Sequence, residues 1–416
     1  SEYTVSDSVA EPVGMMVRSA SLLETTFDPS LEAIARAGAG VNNIPVDRCA
    51  EEGIVVFNTP GANANAVKEL ALCALLLASR DVVGGIQWAG TLEGNELGVA
   101  KAVEKGKSAF GGCEISGKTL GIIGLGAIGR LLANAAVALG MQVVGCDPYL
   151  SDEAAKQLDP SVKRLSAFEE VYALSDYISL HVPATPQTKG MVNDTSIAQM
   201  KDGVRILNLA RADLVDFVSL KSALASGKIK KYVTDFPTEE TIRVPGIVAI
   251  PHLGASTEEA EDNCAVMAAK ELIDFLENGN IVNSVNYPSL SAPRAGAHRL
   301  CVLAAADTEI QKVLSCVTDL KSSASACKKS TCILIDTDAE PTAAAEAIRT
   351  IPGVRRVLQR SNFRLRCGNS HKKGCRFSHA ETQNRFERQL RSKRLSFFIC
   401  GSSASVRTAG KPTESV

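Results

Sequence analysis

Apolar residues alternate between strand and helix periodicity along most of the chain. Short apolar runs at residues 13–17 and 54–57 predict strands, and 31–37 predicts a short helix or a strand approach. An apolar stretch over 64–79 follows the Pro60-Gly61 turn signal and predicts a long helix. Beyond it, strands ending at Cys146, Val182, Leu209, Asp235 and Ile250 are separated by helical patterns, and such βα repetition predicts a parallel sheet with helices on both faces. A helix over 257–278 opens with Ser256-Thr257-Glu258-Glu259, good N-terminal capping chemistry, and stops at Gly279. Residues 289–296 form a Pro/Ser/Ala linker, after which strands at 298–303 and 331–336 flanking a helix predict a small α+β module ending near Leu358. Beyond Arg360 periodicity fades, and residues 361–416 read as a disordered tail.

Composition sharpens that division. The net charge is -1, yet residues 361–416 hold twelve Lys or Arg against three Glu, so the body is acidic and the tail basic. The tail's Cys367, His371, Cys375 and His379 lack the spacing of a zinc site, so no metal is expected, and nucleic-acid binding is disfavoured. Twelve cysteines without a pairing pattern suit reduced thiols in a cytosol-like compartment. No membrane-length apolar run and no signal-peptide pattern is present. The first residue is Ser1 rather than Met, which leaves a processed or missing N-terminus, and with it an organelle, open.

One stretch fixes the chemistry class. Gly124, Gly126 and Gly129 form G-x-G-x-x-G directly after a short apolar strand and directly before a helix. The first glycine makes a tight turn, the second lets backbone amides approach a pyrophosphate, and the third lets helix and strand pack closely. Ala127 and Ile128 open the helix whose positive end would take the phosphates. The next strand ends in Asp147, whose carboxylate would accept from ribose hydroxyls and repel a 2′-phosphate, so NAD is expected over NADP.

Ligands in parallel sheets collect beyond the carboxyl ends of the strands. Those ends carry Arg211, Glu239 and His252. Oxidation of a 2-hydroxy acid needs such a set: a cation for the substrate carboxylate and the forming carbonyl, a base for the hydroxyl proton, and an acid to orient the base. Arg211, His252 and Glu239 suit those roles in that order.

The strings Asn208-Leu-Ala-Arg-Ala-Asp-Leu-Val-Asp216, Asp235-Phe-Pro-Thr-Glu239 and Pro251-His-Leu-Gly-Ala-Ser-Thr257 resemble the signatures of the D-isomer-specific 2-hydroxyacid dehydrogenases. The similarity runs over roughly residues 13–288. It implies an α/β fold of two doubly wound parallel-sheet domains: a Rossmann NAD-binding domain over 65–254, and a flavodoxin-like substrate domain built from 1–64 and 255–288 whose N-terminal strand is expected to be missing. Carried over by position, it makes Arg211, Glu239 and His252 catalytic and places Asp235 at the nicotinamide amide. His181, Val182 and Pro183 fall on the adenine side, and Ala210 and Gly254 line the cofactor. Arg18, Ser19 and Asn42 become substrate contacts, with Lys107 as a phosphate contact. The implied substrate is a phosphorylated 2-hydroxy acid, 3-phosphoglycerate, in a homodimer or homotetramer. Another 2-hydroxy acid such as 2-hydroxyglutarate, or an NAD-sensing binding protein of the same fold, are the alternatives.

Two departures from the family follow. Ala212 replaces the usual glycine after the arginine and would be strained if that position needs positive φ. Residues 295–358 resemble an ACT regulatory domain, but Ala304-Ala305-Ala306-Asp307 stands where a polar effector loop is expected, so inhibition by serine should be weak or lost.

Overall fold

The computed structural model describes residues 3–6, 9–361 and 397–401. They divide into two compact units, one made of residues up to Ala62 and from Glu261 onward, the other of Asn63–Ala260. Among the described residues no helix is long and apolar enough to cross a membrane.

The second unit holds seven strands: β5 (Thr119–Ile123), β6 (Gln142–Cys146), β7 (Lys163–Arg164), β8 (Tyr177–Leu180), β9 (Val204–Asn208), β10 (Ile229–Thr234) and β11 (Ile247–Ala249). Every pairing is parallel, in the order β11-β10-β9-β8-β5-β6-β7. The order reverses between β5 and β8, the switch point where α/β sheets open a crevice. Successive side chains point to opposite faces, which explains two cores rather than one. Leu120 and Ile122 pack with the helices Ala64–Ser79 and Ala127–Ala138, while Ile123, Ile178 and Leu180 pack with the helices Phe168–Leu174 and Phe217–Ser226 on the other side. The helix Ala64–Ser79 buries Ala64, Val67, Ala71, Ala74, Leu75 and Ala78, the three-and-four spacing of one apolar stripe.

The first unit contains β1 (Tyr3–Ser6), β2 (Gly14–Val17), β3 (Ala33–Arg36), β4 (Val55–Asn58) and, from far along the chain, β16 (Phe397–Gly401), in the order β1-β16-β2-β3-β4. Strands β2, β3 and β4 are parallel, and β16 runs antiparallel to both of its neighbours. Here the structure differs from the sequence reading at the C-terminal end. β1 precedes β2 in the chain but lies at the sheet edge, antiparallel to β16, so it is not the central strand expected to be missing; residues 397–401 pair although the tail was expected to be structureless. Phe397-Phe398-Ile399-Cys400 is an apolar run of four residues, but the basic, polar tail around it outweighed that signal. The remainder of the tail, with Cys367, His371, Cys375 and His379, lies outside the described residues.

The same unit includes a second sheet of β12 (His298–Ala305), β13 (Leu320–Cys327), β14 (Ser330–Thr337) and β15 (Val354–Ser361). It is antiparallel, ordered β13-β14-β12-β15, with helices Ile310–Ser315 and Thr342–Arg349 in a βαββαβ arrangement. Ala304 and Ala305, expected in a loop, belong to β12. One face of this sheet packs on its own two helices. The other shares a core with β3, β4 and the long helix Glu258–Asn278, through Cys301, Leu303, Cys332 and Leu334 against Leu272 and Phe275. A buried, bidentate ion pair closes the join. Arg299 Nε and Nη2 donate to the two Asp336 oxygens at 2.7 and 2.8 Å, and the same guanidinium caps the carbonyls of Asn278, Ala292 and Pro293. Burial alone would push Asp336 up, but the bonds from Arg299, the Ala295 N–H and Ser322 hold its carboxyl below the ordinary range.

Candidate active site

The glycine turn forms as the motif requires. Gly124 has φ +94°, and a Cβ there would lie 2.6 Å from the His181 carbonyl. A Cβ on Gly129 would lie 2.0 Å from the Gly124 carbonyl, while one on Gly126 would meet nothing. The first and third positions are therefore closed by backbone, and the second faces open space at the start of the helix Ala127–Ala138, which has no side-chain cap. Asp147, just past β6, accepts from the Leu125 N–H at 2.9 Å and the Tyr149 N–H at 2.9 Å, which fixes its carboxylate beside the turn. His181, across the switch point, shares a 2.8 Å bond with Ser179 through Nε2, and its Nδ1 is buried without a partner. Burial pulls its pKa down to about 4, so the ring is neutral near pH 7.

Beyond β9, β10 and β11 the structure gathers Arg211, Asp235, Phe236 and His252. The Phe236 ring lies 4.6 Å from the His252 ring, tilted by 46°, and the Arg211 guanidinium carbon stands 5.8 Å from the same ring. Asp235 is buried, with Oδ1 unpartnered. Burial raises its pKa, opposed by the charge on His252, the Gly254 N–H and the charge on Arg211. An orphaned acceptor of this kind fits a ligand amide, and with the open Gly126 position and the uncapped helix end it fits a dinucleotide.

Asn208 is a residue that sequence reasoning passed over. Fully buried at the end of β9, it accepts from the N–H groups of Ala210 and Arg211 and donates to the Arg211 carbonyl at 2.8 Å and to Tyr232 Oη at 3.0 Å. It holds the turn that presents Arg211. Its signal was the habit of asparagine, at a strand end, of bonding the backbone two or three residues on. Ala212 opens the short 3-10 helix Ala212–Leu214 and is not among the positive-φ residues, so the strain considered above does not arise.

Glu239 lies in the segment that follows β10. It sits exposed at the tip of a turn closed by Thr241, whose Oγ1 accepts from the Thr238 N–H at 2.7 Å, and among the described residues no hydrogen bond or ion pair joins Glu239 to His252. Lys107 is exposed and paired with Glu104 at 2.5 Å. Val182 is half-buried and Pro183 exposed beyond β8.

Arg18, Ser19 and Asn42 belong to the first unit. Arg18 follows β2 and pairs with Glu261 at 2.6 Å, and Ser19 and Asn42 are exposed. The adjacent Asn43 holds that loop by donating to the Ala20 carbonyl at 2.7 Å.

With this geometry in place, residues 87–254 match the family model described as "D-isomer specific 2-hydroxyacid dehydrogenase, NAD binding domain". A glyoxylate reductase structure from Paecilomyes thermophila superimposes with a TM-score of 0.52 at 30% identity, over 62% of this chain and 76% of that one. The chain belongs to the D-isomer-specific 2-hydroxyacid dehydrogenases. Within that family it is 36% identical over 288 residues to D-3-phosphoglycerate dehydrogenase of Mycobacterium leprae, covering 67% of this chain and 52% of the relative, and 35% identical over 290 residues to the enzyme of that name from Rattus norvegicus, covering 67% and 51%. The chain thus spans about half the length of the curated relatives it matches. The cofactor(NAD+)-bound 3-phosphoglycerate dehydrogenase of Entamoeba histolytica superimposes with a TM-score of 0.51 at 29% identity, over 67% of this chain and 83% of that one. The dinucleotide of the Gly124 turn is NAD.

Proposed function

We infer that the chain oxidises 3-phosphoglycerate to 3-phosphohydroxypyruvate, the entry step of serine synthesis. The observation that carries the reading is the row of Arg211, Phe236 and His252 beyond the ends of the sheet that holds the NAD turn. Arg211 binds the substrate carboxylate and polarises the carbonyl as it forms. His252 takes the hydroxyl proton on its imidazole. Glu239 comes to His252 when substrate orders the turn of Thr238 to Thr241, since catalytic hydrogen bonds often form only in the complex. NAD supplies the hydride acceptor. Asp235, with its unpartnered oxygen, receives the cofactor amide. Arg18, Ser19 and Asn42, with Lys107, supply contacts to the substrate, and the two cations answer the phosphate. The preference for a phosphorylated acid rests on the names of the relatives together with those cations.

NADH formation with 3-phosphoglycerate should exceed that with glycerate and with 2-hydroxyglutarate. Equal rates with and without the phosphate would remove this substrate. His252→Ala should lower kcat by roughly 10²-fold or more while NAD still binds, and full turnover in that variant would remove the proton role.

The functional form in this reading is a homodimer or homotetramer in the cytoplasm. Val82, Val83 and Ile86 on the helix Val82–Gly90 and Leu97 and Val99 nearby in sequence are exposed apolar residues that a second copy would cover. Ile86→Asp should lower the mass measured by light scattering to that of one chain; an unchanged mass would exclude this surface. The βαββαβ sheet is read as an ACT-like module whose effector end is blunted by Ala304, Ala305 and Ala306, so serine should inhibit weakly.

A further inference from the structure

A cavity of about 320 Å³ opens within the first unit, lined by Pro29, Ser30 and Glu32 ahead of β3, Arg349 at the end of the helix Thr342–Arg349, and Arg355 and Arg356 of β15. It contains none of the residues assigned above to NAD or substrate. Its size lies at the lower end of the range for small-molecule sites.

Its charge is out of balance. Three guanidiniums face one carboxylate, Glu32, and Glu32 is already paired with Arg360. Among the described residues no ion pair reaches Arg349, Arg355 or Arg356. Their hydrogen bonds go to neutral acceptors instead. Arg349 donates to the Val357 carbonyl at 3.4 Å, Arg355 to the Ala50 carbonyl at 2.9 Å and to Ser330 Oγ at 3.2 Å, and Arg356 to the carbonyls of Leu31 and Pro29. A guanidinium has five N–H donors in a planar fork, so each keeps donors in reserve. Burial presses the pKa of Arg356 down, with Glu32 the largest of the charges opposing it. Glu52, the other acid acting on Arg356, is itself paired with Arg48 at 3.7 Å. A cluster of cations with spare, planar donors around one opening is complementary to oxygens of a compact polyanion.

We propose that this arginine-lined cavity is a binding site for a small polyanion, a metabolite bearing a phosphoryl group or several carboxylates. The ligand would bridge β15 of the four-stranded sheet to the segment that feeds β3. It would thereby tie together the two sheets of the first unit, already joined by Arg355 and Arg356 through main-chain carbonyls. The proposal is independent of which acid the dehydrogenase site oxidises.

The test uses the full chain saturated with NAD, so that the dinucleotide phosphate site is filled, and inorganic pyrophosphate or citrate as the probe at matched ionic strength. Calorimetry should give saturable binding to the wild type. Arg349→Glu, at an exposed position that leaves the fold intact, should weaken it at least tenfold. Arg18→Ala, in the substrate set, should leave the affinity unchanged. Equal affinity in wild type and Arg349→Glu would overturn the proposal, as would a loss in Arg18→Ala alone or no wild-type binding of either probe at millimolar concentration.

Discussion

Phe236 has the most consequential placement of any residue that carries no charge. Its ring is 4.6 Å from the His252 ring and 5.8 Å from the Arg211 guanidinium carbon, so one apolar side chain lies against both polar groups. An aromatic pair and a cation over a ring each contribute about 0.5–1.5 kcal/mol. Phe236→Leu keeps the volume and removes both, so kcat/KM should fall on the order of tenfold, which corresponds to about 1.4 kcal/mol. NAD affinity by fluorescence titration should not move. Unchanged kcat/KM would reduce Phe236 to a spacer. At this scale the sequence was informative about identity and silent about support. Arg211 and His252 follow strands whose carboxyl ends are legible from periodicity, and the first and third glycines of the NAD turn are constrained by close backbone approach. The stacking of Phe236 and the bond from Asn208 to Tyr232 depend on how neighbouring strands align, which no spacing rule contains. Among the described residues no bond joins Glu239 to His252, and the turn that carries Glu239 is closed by Thr241.

Among the elements, the helix Glu258–Asn278 had the plainest sequence signature, and it carries the least expected group. Glu271 is only 9% exposed, with one oxygen accepting from Asn283 Nδ2 at 2.6 Å and the other buried without a partner. Burial pushes its pKa up to about 7, against which the Asn283 bond is the lesser influence. Between the ordinary carboxyl value of 4.5 and about 7 the folded chain therefore holds a proton that the unfolded chain has released. Stability is then greatest below that window and falls as pH rises through it, by up to roughly 3 kcal/mol at 1.36 kcal/mol per unit. Glu271→Gln should flatten the dependence, raising the midpoint of chemical denaturation at pH 8 and leaving it nearly unchanged at pH 4.5. Parallel curves for the two proteins would show that Glu271 does not titrate in this range. Periodicity and capping located the helix, but they carry no information on which of its acids is buried. The helix in fact has two sheets to pack on: Phe275 meets Phe57 of β4 at 5.7 Å between ring centroids, and Cys301 of β12 lies against Gly279 just past the helix end.

At the scale of the whole molecule, the two units differ in how their sheets are completed. The seven strands of the second unit come from one continuous stretch of chain, and that continuity made its parallel order readable from βα repetition. The first unit is assembled from distant segments, and its strand β16 lies between β1 and β2, paired on both sides. A strand in that position covers the hydrogen-bonding edge of β2, whose residues Met15, Met16 and Val17 are buried in two apolar cores. An uncovered edge of that composition would invite pairing with other chains. A chain ending at Ser361 loses both ladders of β16. At about 1 kcal/mol net per backbone hydrogen bond, that loss amounts to several kcal/mol, a large share of the 5–15 kcal/mol that usually holds a domain together. Calorimetry of the shortened chain should show the transition of the first unit moved down by roughly 10 °C or more, with aggregation on heating. The transition of the second unit and its stabilisation by NAD should persist, since no strand of the seven-stranded sheet is touched. Coincident melting of the full and shortened chains would mean that β16 contributes nothing to the sheet in solution, whereas loss of NAD stabilisation would mean that the two units do not fold independently.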